Sequence, residues 1–410
     1  MSMPYPTPIH ADPLPPQPFF ASPGQRVGLA RERYFGDGQR PTGLVSEPVI
    51  QSWTRCLGSR RSPAEAVAFD PVTRSRLHAT LARNHDLLTA ASAELQRLET
   101  ALGGTACRVL LTDAEGVLVH VTQAVAMPSE PVLKRVSRIG VNLAEGLVGT
   151  NAPAVVVKTG EPVTVFGAEH YFDCMQSLHC AAAPIYDGHG RLAGVLDLTV
   201  EARPFGFDAA ALVGIYATAI ENRLLQAGAG DHLVLQFQVC SSMLGSPLQA
   251  LAGIDAHGRA AWLNGTAQQL LGPAVRPQAD AESLFGCTLG QLLGRAAHDD
   301  ARPLRLPNGL TVWLRARLQA ADGARHAVSL PSVAAVAAAA APPPAPVATG
   351  APTAPEPAAA GPQATLDQHT REVIERTLAE HAGNISRTAR QLGVSRGLLY
   401  RRLREWAPAA

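Results

Sequence analysis

Lysine is the residue this sequence has least of. Of its 35 basic side chains only Lys134 and Lys158 are lysines; the rest are arginines. A phosphate loop of the form GxxxxGK[ST] needs a glycine directly before its lysine. Lys134 follows Leu133 and Lys158 follows Val157, so that loop cannot be written with either. Neither an HExxH helix nor a dinucleotide-binding glycine loop occurs, and catalysis is not expected. No apolar run reaches the length of about eighteen residues that a membrane span requires; the stretch from Val333 to Ala341 is mostly alanine and leads into prolines. The N-terminus lacks the basic start and apolar core of a secretory signal, which points to the cytoplasm. The six cysteines (Cys56, Cys107, Cys174, Cys180, Cys240 and Cys287) are scattered and form no CxxC pair. They suit reduced thiols better than a disulfide framework. Charge of one sign is missing too: the formal net charge is +1, so any nucleic-acid surface must be local.

What is present suggests several domains, since 410 residues with 46% hydrophobic content exceed one compact core. Residues 1–45, rich in Pro, Gly and Arg without periodicity, are expected to be a flexible leader. Ser46-Glu47-Pro48 reads as a helix start, and Val49, Ile50, Trp53 and Leu57 follow at helical spacing. A second helical stretch is expected from about Pro71 to Leu102. Strand signals begin at Cys107: CRVLLTD, a turn at AEG, then VLVHV form a hairpin. PVTVF, CAAAPIYD and GVLDLTV continue the sheet, the last two joined by the turn Asp187-Gly188-His189-Gly190. Helical stretches flank these strands, so 46–226 reads as an α+β domain around an antiparallel sheet. A less distinct α/β stretch spans 232–328. Residues 331–363, almost purely Ala and Pro, read as a tether that cannot build a core.

The segment 365–407 carries the clearest signal. Its first helix, with Val373, Ile374, Thr377 and Leu378 on one face, stops at Ala382-Gly383-Asn384. A short helix from Ile385 to Leu392 ends at Gly393, and Ser395 caps a third helix that begins at Arg396. Two short helices joined by a glycine-containing turn make a helix-turn-helix. Leu399 and Leu403 take the core side of the third helix. Ser395, Arg396, Leu398, Tyr400, Arg401 and Arg404 are then the candidates to meet the major groove. The pattern GNIS-x-x-A-x-x-LG-V-S-R-x-x-LY-R-R-L resembles the Fis-type helix-turn-helix that closes bacterial enhancer-binding regulators. The resemblance implies a homodimer on a partly palindromic DNA site.

The segment from Ile139 to Thr199 resembles the GAF sensor domain of AcoR-like (acetoin-catabolism) regulators. The stretches EG-x-x-GTNA, G-x-PV-x-V-x-G-x-EH, C-x-AAPI and D-x-x-G-x-x-x-GVLD carry the likeness, as does VIQSWTRC upstream. GIDAHGRAAWLN and the short helix after it resemble a PAS-like module. The fold expected is therefore α+β: a GAF-like antiparallel-sheet sensor domain, a PAS-like α/β module and a C-terminal all-α helix-turn-helix. The resemblance implies a small effector (an alcohol, ketone or aromatic) in a pocket walled in part by Gly149, Thr150, Asn151, Glu169, His170 and Cys180. The plain alternative is that Thr150 and Asn151 only cap a helix and His170 bonds locally. His170, Cys174, His179 and Cys180 are also of metal-ligand and redox type, although their order is no familiar metal spacing. No cofactor is expected. Members of this family usually carry a central AAA+ ATPase that remodels sigma-54 polymerase. No GAFTGA-like loop occurs here, and the Ala/Pro tether stands where that domain would lie. A regulator without ATPase activity is thus expected, with RNA polymerase or a full-length relative as further partners; the alternatives are a metal- or redox-responsive DNA-binding regulator using His170, Cys174, His179 and Cys180, a constitutive architectural DNA-binding protein, or an enzyme that ends in a helix-turn-helix.

Overall fold

The computed structural model describes residues 20, 22–122, 130–272, 278–296, 298–319 and 325–326, together with Thr377, His381 and Gln391. The chain divides into two compact units, Met1–Val333 and Ala334–Ala410. The tether 331–363 and all six DNA-contact candidates, Ser395, Arg396, Leu398, Tyr400, Arg401 and Arg404, lie outside the described residues.

Four helices precede the first sheet: α1 (Pro23–Arg31), α2 (Glu47–Gly58), α3 (Arg74–Arg83) and α4 (His85–Ala101). The first corrects the expectation of a flexible leader over residues 22–45. Ser22 caps α1 by accepting from the Gln25 backbone N–H at 3.2 Å, and Pro23 sits in the first turn, where its missing N–H costs nothing. Val27 and Ala30 are buried against the first domain, and a π-helical turn follows at Glu32–Gly36. Burial of one helical stripe thus outweighs a Pro/Gly-rich composition. The helix expected from Pro71 to Leu102 is broken at Asn84, which ends α3 and precedes α4.

The first sheet contains β1 (Arg108–Asp113), β2 (Leu118–Val121), β3 (Val163–Phe166), β4 (Leu178–Tyr186) and β5 (Leu192–Glu201). Between β2 and β3 run α5 (Pro131–Val136), α6 (Glu145–Val148) and α7 (Ala152–Thr159), and α8 (Ala209–Ala227) follows β5. The order is β2-β1-β5-β4-β3, antiparallel throughout. Strand alternation divides its side chains between two cores. On one face Leu111, Ala181, Ala183, Leu196 and Leu198 meet α4 and α8. On the other, Leu110, Cys180, Ala182 and Val195 meet α1, α2 and α7, with Trp53 of α2 fully buried among them. Truncating a side chain of that size in a core costs about 3–5 kcal/mol.

The second module is an antiparallel sheet in the order β11-β10-β6-β7-β8, formed by β6 (His232–Gln238), β7 (Ala250–Ile254), β8 (Ala260–Leu263), β10 (Thr311–Gln319) and β11 (Arg325–His326), with β9 (Arg302–Arg305) pairing β10. Helices α9 (Gly265–Leu271), α10 (Ala281–Phe285) and α11 (Leu289–Ala296) share the core on one of its faces. The opposite face meets α8 through Leu225, Val234, Leu251 and Trp262. Among the described residues no helix is long and apolar enough to cross a membrane.

Candidate functional site

On the face of the first sheet that meets α2 and α7, two neighbouring strands carry polar side chains into an apolar core. Cys180 of β4 stands opposite Thr199 of β5, and Ala182 opposite Asp197. His170 reaches the same place from the turn that follows β3. All four polar residues are almost fully buried, none more than 4% exposed.

Their hydrogen bonds form a line. His170 Nδ1 lies 3.0 Å from the Gly167 carbonyl oxygen, which can only accept, so the proton sits on Nδ1 and Nε2 is a free acceptor. Nε2 faces Cys180 Sγ at 3.5 Å, so the thiol donates to the ring. Thr199 Oγ1 is 3.4 Å from the same sulfur and 2.5 Å from Asp197 Oδ2. The line ends on Asp197 Oδ1, which is buried and has no hydrogen-bond partner among the described residues.

Burial sets the protonation of the line. It pushes the Asp197 carboxyl up to about 7, with the Thr199 hydroxyl offsetting part of the effect. Burial likewise holds the His170 imidazolium down to about 4, so the ring is neutral near pH 7. The Cys180 thiol is raised well above its ordinary value, by burial first and by the Asp197 charge second. A thiol so held is not a nucleophile at neutral pH. An unpartnered buried carboxyl oxygen costs about 1–3 kcal/mol, and it is the kind of group a bound donor relieves.

Each of the remaining polar sensor candidates has a hydrogen-bond partner of its own outside this line. Asn151 caps α7: its Oδ1 accepts from the Ala154 backbone N–H at 3.0 Å, and Nδ2 donates to the Leu143 and Gly149 carbonyls, each at 2.9 Å. Thr150 Oγ1 bonds Ser52 at 2.7 Å. A Glu169 carboxylate oxygen accepts from the Phe166 backbone N–H at 2.9 Å, while the Glu169 carbonyl accepts from Trp53 Nε1 at 2.8 Å. Gly149 takes φ +69°, and a Cβ there would stand 2.8 Å from the Phe172 ring. Only glycine fits both conditions.

His170, Cys174, His179 and Cys180 do not converge. Cys174 is exposed. His179 precedes Cys180 on β4, so alternation sends it to the other side, where its ring lies against Phe166 with centroids 5.9 Å apart. Among the described residues no group of three or more His, Cys, Asp or Glu side chains is placed to hold a metal ion.

Three residues of the site were missed from sequence. Asp197 and Thr199 were read only as strand residues, although an Asp and a Thr two apart in GVLDLTV were a visible anomaly in a buried strand. Arg31 donates to the carbonyls of Ala168 (3.1 Å), His170 (2.7 Å) and Tyr171 (3.2 Å) and to Asp173 Oδ1 (2.7 Å). Ser22-Pro23, a capping residue followed by a first-turn proline, was its available signal.

Residues 23–220 match the family described as MimR, N-terminal domain, and residues 365–406 match the family described as bacterial regulatory protein, Fis family. The chain is 31% identical over 239 residues to the acetoin catabolism regulatory protein of Cupriavidus necator, covering 56% of this chain and 35% of that protein. It is 31% identical over 205 residues to the propane 2-monooxygenase operon transcriptional activator MimR of Mycolicibacterium smegmatis, covering 48% and 32%. The acetoin dehydrogenase operon transcriptional activator AcoR of Bacillus subtilis is 28% identical over 176 residues, covering 42% and 28%. The chain therefore spans about a third of the length of these relatives. Among solved structures, the Escherichia coli DhaR(N)–DhaL complex matches with a TM-score of 0.41 and 16% identity, over 66% of this chain and 99% of that one. The chain is a homologue of the acetoin-catabolism and MimR-type transcriptional regulators, with a MimR N-terminal domain and a C-terminal Fis-type helix-turn-helix.

Proposed function

We propose that this chain is an effector-responsive, DNA-binding transcriptional regulator that works without ATPase activity of its own. In this reading the Fis-type segment binds DNA as a homodimer through Ser395, Arg396, Leu398, Tyr400, Arg401 and Arg404. The first domain takes a small hydroxyl-bearing molecule, an alcohol or hydroxyketone, at His170, Cys180, Thr199 and Asp197. Gly149, Thr150, Asn151 and Glu169 shape that site from behind. The protein acts in the cytoplasm, by occluding a promoter, contacting RNA polymerase or competing with a longer relative.

The observation that carries the reading is the unpartnered Asp197 Oδ1 at the end of a buried hydrogen-bonded line. A ligand hydroxyl donating to that oxygen gains a charge-assisted hydrogen bond in a dry environment, where such a bond is strong. The test is footprinting of the full chain on the DNA upstream of its own coding region, with a panel of small alcohols, ketones and aromatics. One compound should shift the footprint, and Asp197→Asn should remove the shift while leaving DNA binding intact. A specific footprint that no compound moves sinks the sensor reading; no specific footprint sinks the regulator reading.

A further inference from the structure

The junction between the two modules of the first unit contains a second polar site. A cleft of about 290 Å³ lies between α8 with the neighbouring part of α4 on one side, and β6 with the loop before β7 on the other. Its walls are already fixed. Asn222 of α8 donates from Nδ2 to the Pro247 carbonyl at 2.9 Å and accepts from Asn264 Nδ2 at 2.8 Å, tying α8 to both flanks of the β7–β8 hairpin.

The chemistry of the lining is specific. Glu94, 5% exposed, accepts from Arg223 Nε at 2.6 Å and from an Arg97 terminal nitrogen at 3.0 Å. Two guanidinium groups thus share one carboxylate. That leaves an excess positive charge in the lining and the terminal nitrogens of Arg223 free to donate. Facing them, Gln236 of β6 lines the cleft at 6% exposure and offers its amide to it. Its register neighbour on β10 is Arg315, whose Nε is buried and has no hydrogen-bond partner among the described residues. Gln249 uses its oxygen to accept from the Gly245 backbone N–H at 2.9 Å, which turns its amide nitrogen to other duty. The only unmatched charge in the lining is positive.

We propose that this cleft is a binding site for a small organic carboxylate, distinct from the hydroxyl-ligand site on the first sheet. The carboxylate accepts from Arg223 and the Gln236 amide, and Glu94 keeps the two arginines oriented toward it. The volume falls at the lower edge of ordinary ligand clefts and suits a compact metabolite. Because the walls come from both modules, the bound anion links α8 to β6 and makes the placement of the second module respond to it.

The test is calorimetric titration of the full-length protein with lactate, succinate and citrate, with glycerol as the neutral comparator. At least one carboxylate should bind saturably, and glycerol should not. Gln236→Leu, which keeps the volume and removes the amide, and Arg223→Gln should each weaken binding at least about tenfold. Should Gln236→Leu fail to fold by circular dichroism, Gln236→Glu, nearly isosteric and repelling a carboxylate, takes its place with the same expectation. Asp197→Asn should bind the carboxylate as the parent does, so failure of the first-sheet site and failure of this one are told apart. Absence of carboxylate binding, binding indifferent to both lining substitutions, or glycerol binding as tightly would each overturn the proposal.

Discussion

Arg31 donates a hydrogen bond of 2.7 Å to the backbone oxygen of His170, 139 positions away in the sequence. The same guanidinium also holds the carbonyls of Ala168 and Tyr171 and the Asp173 carboxylate, and it lies over the Phe35 ring at 4.9 Å. The N-terminal helix therefore fixes the segment that carries the imidazole of the candidate site. Arg31→Met keeps much of the stem packing and removes the donors. It should cost roughly 2 kcal/mol, since it strands several part-buried acceptors at once. Hydrogen exchange should quicken first in residues 167–173, ahead of any change in the second module. Unchanged protection in that segment would show that the helix merely covers the core.

The pH dependence of stability should contain two opposed contributions. The buried Asp197 carboxyl is raised from 3.8 to about 7, so the folded protein holds its proton more tightly than the unfolded chain does. That contribution is fully present below about pH 4 and is lost as the pH rises through about 7. The His170 imidazolium is lowered from 6.5 to about 4, so its contribution is present above pH 6.5 and is lost as the pH falls through about 4. Between pH 4 and 6.5 the two slopes have opposite signs. Asp197→Asn should leave stability rising with pH across that window, and His170→Gln should leave it falling, each by an amount on the order of a few kcal/mol. Denaturant titrations at half-unit pH steps read this directly. Parallel profiles for the two variants would rule it out.

Gly149→Ala should destabilise the first domain by about 2 kcal/mol or more. The residue takes φ +69°, and its added methyl would stand 2.8 Å from Cε2 of Phe172, a ring that is itself fully buried. Backbone strain and overpacking therefore add at one position. The urea midpoint should fall with an unchanged slope. A substitution within 0.5 kcal/mol of neutral would mean that the turn relaxes freely.

The elements legible in the sequence were those whose pattern is local. The β4–β5 hairpin was announced by Asp187-Gly188-His189-Gly190, and α2 by Ser46-Glu47-Pro48 ahead of a helical stripe. The leader helix was hidden because its evidence is tertiary: Val27 and Ala30 count as core only once the rest of the domain covers them. His170 and Cys180 were picked out by resemblance and do meet. Their continuation to Thr199 and Asp197 depends on strand register, which no local pattern specifies. The cluster of His and Cys types dissolved for the same reason: neighbours along β4 point to opposite faces, so proximity in sequence separated His179 from Cys180 in space.

The DNA-contact residues rest on sequence alone, and their roles separate by salt dependence. Arg396 occupies the first turn of the third helix as read from the sequence, and the N-terminal residues of a recognition helix meet base edges. Arg396→Ala should weaken binding to the specific site by about 1–3 kcal/mol and relax selectivity at one base position. Binding to unrelated DNA and the salt slope should scarcely change. Arg401 and Arg404, further along the same helix, suit phosphate contacts. Alanine at either should weaken specific and unrelated DNA alike and reduce the salt slope by about one. None of the three substitutions, all in the unit Ala334–Ala410, should alter thermal unfolding of the unit Met1–Val333. Equal salt slopes for all three variants, with equal losses on unrelated DNA, would mean that the helix reads only the backbone. Specificity would then have to come from the spacing of two half-sites in a dimer.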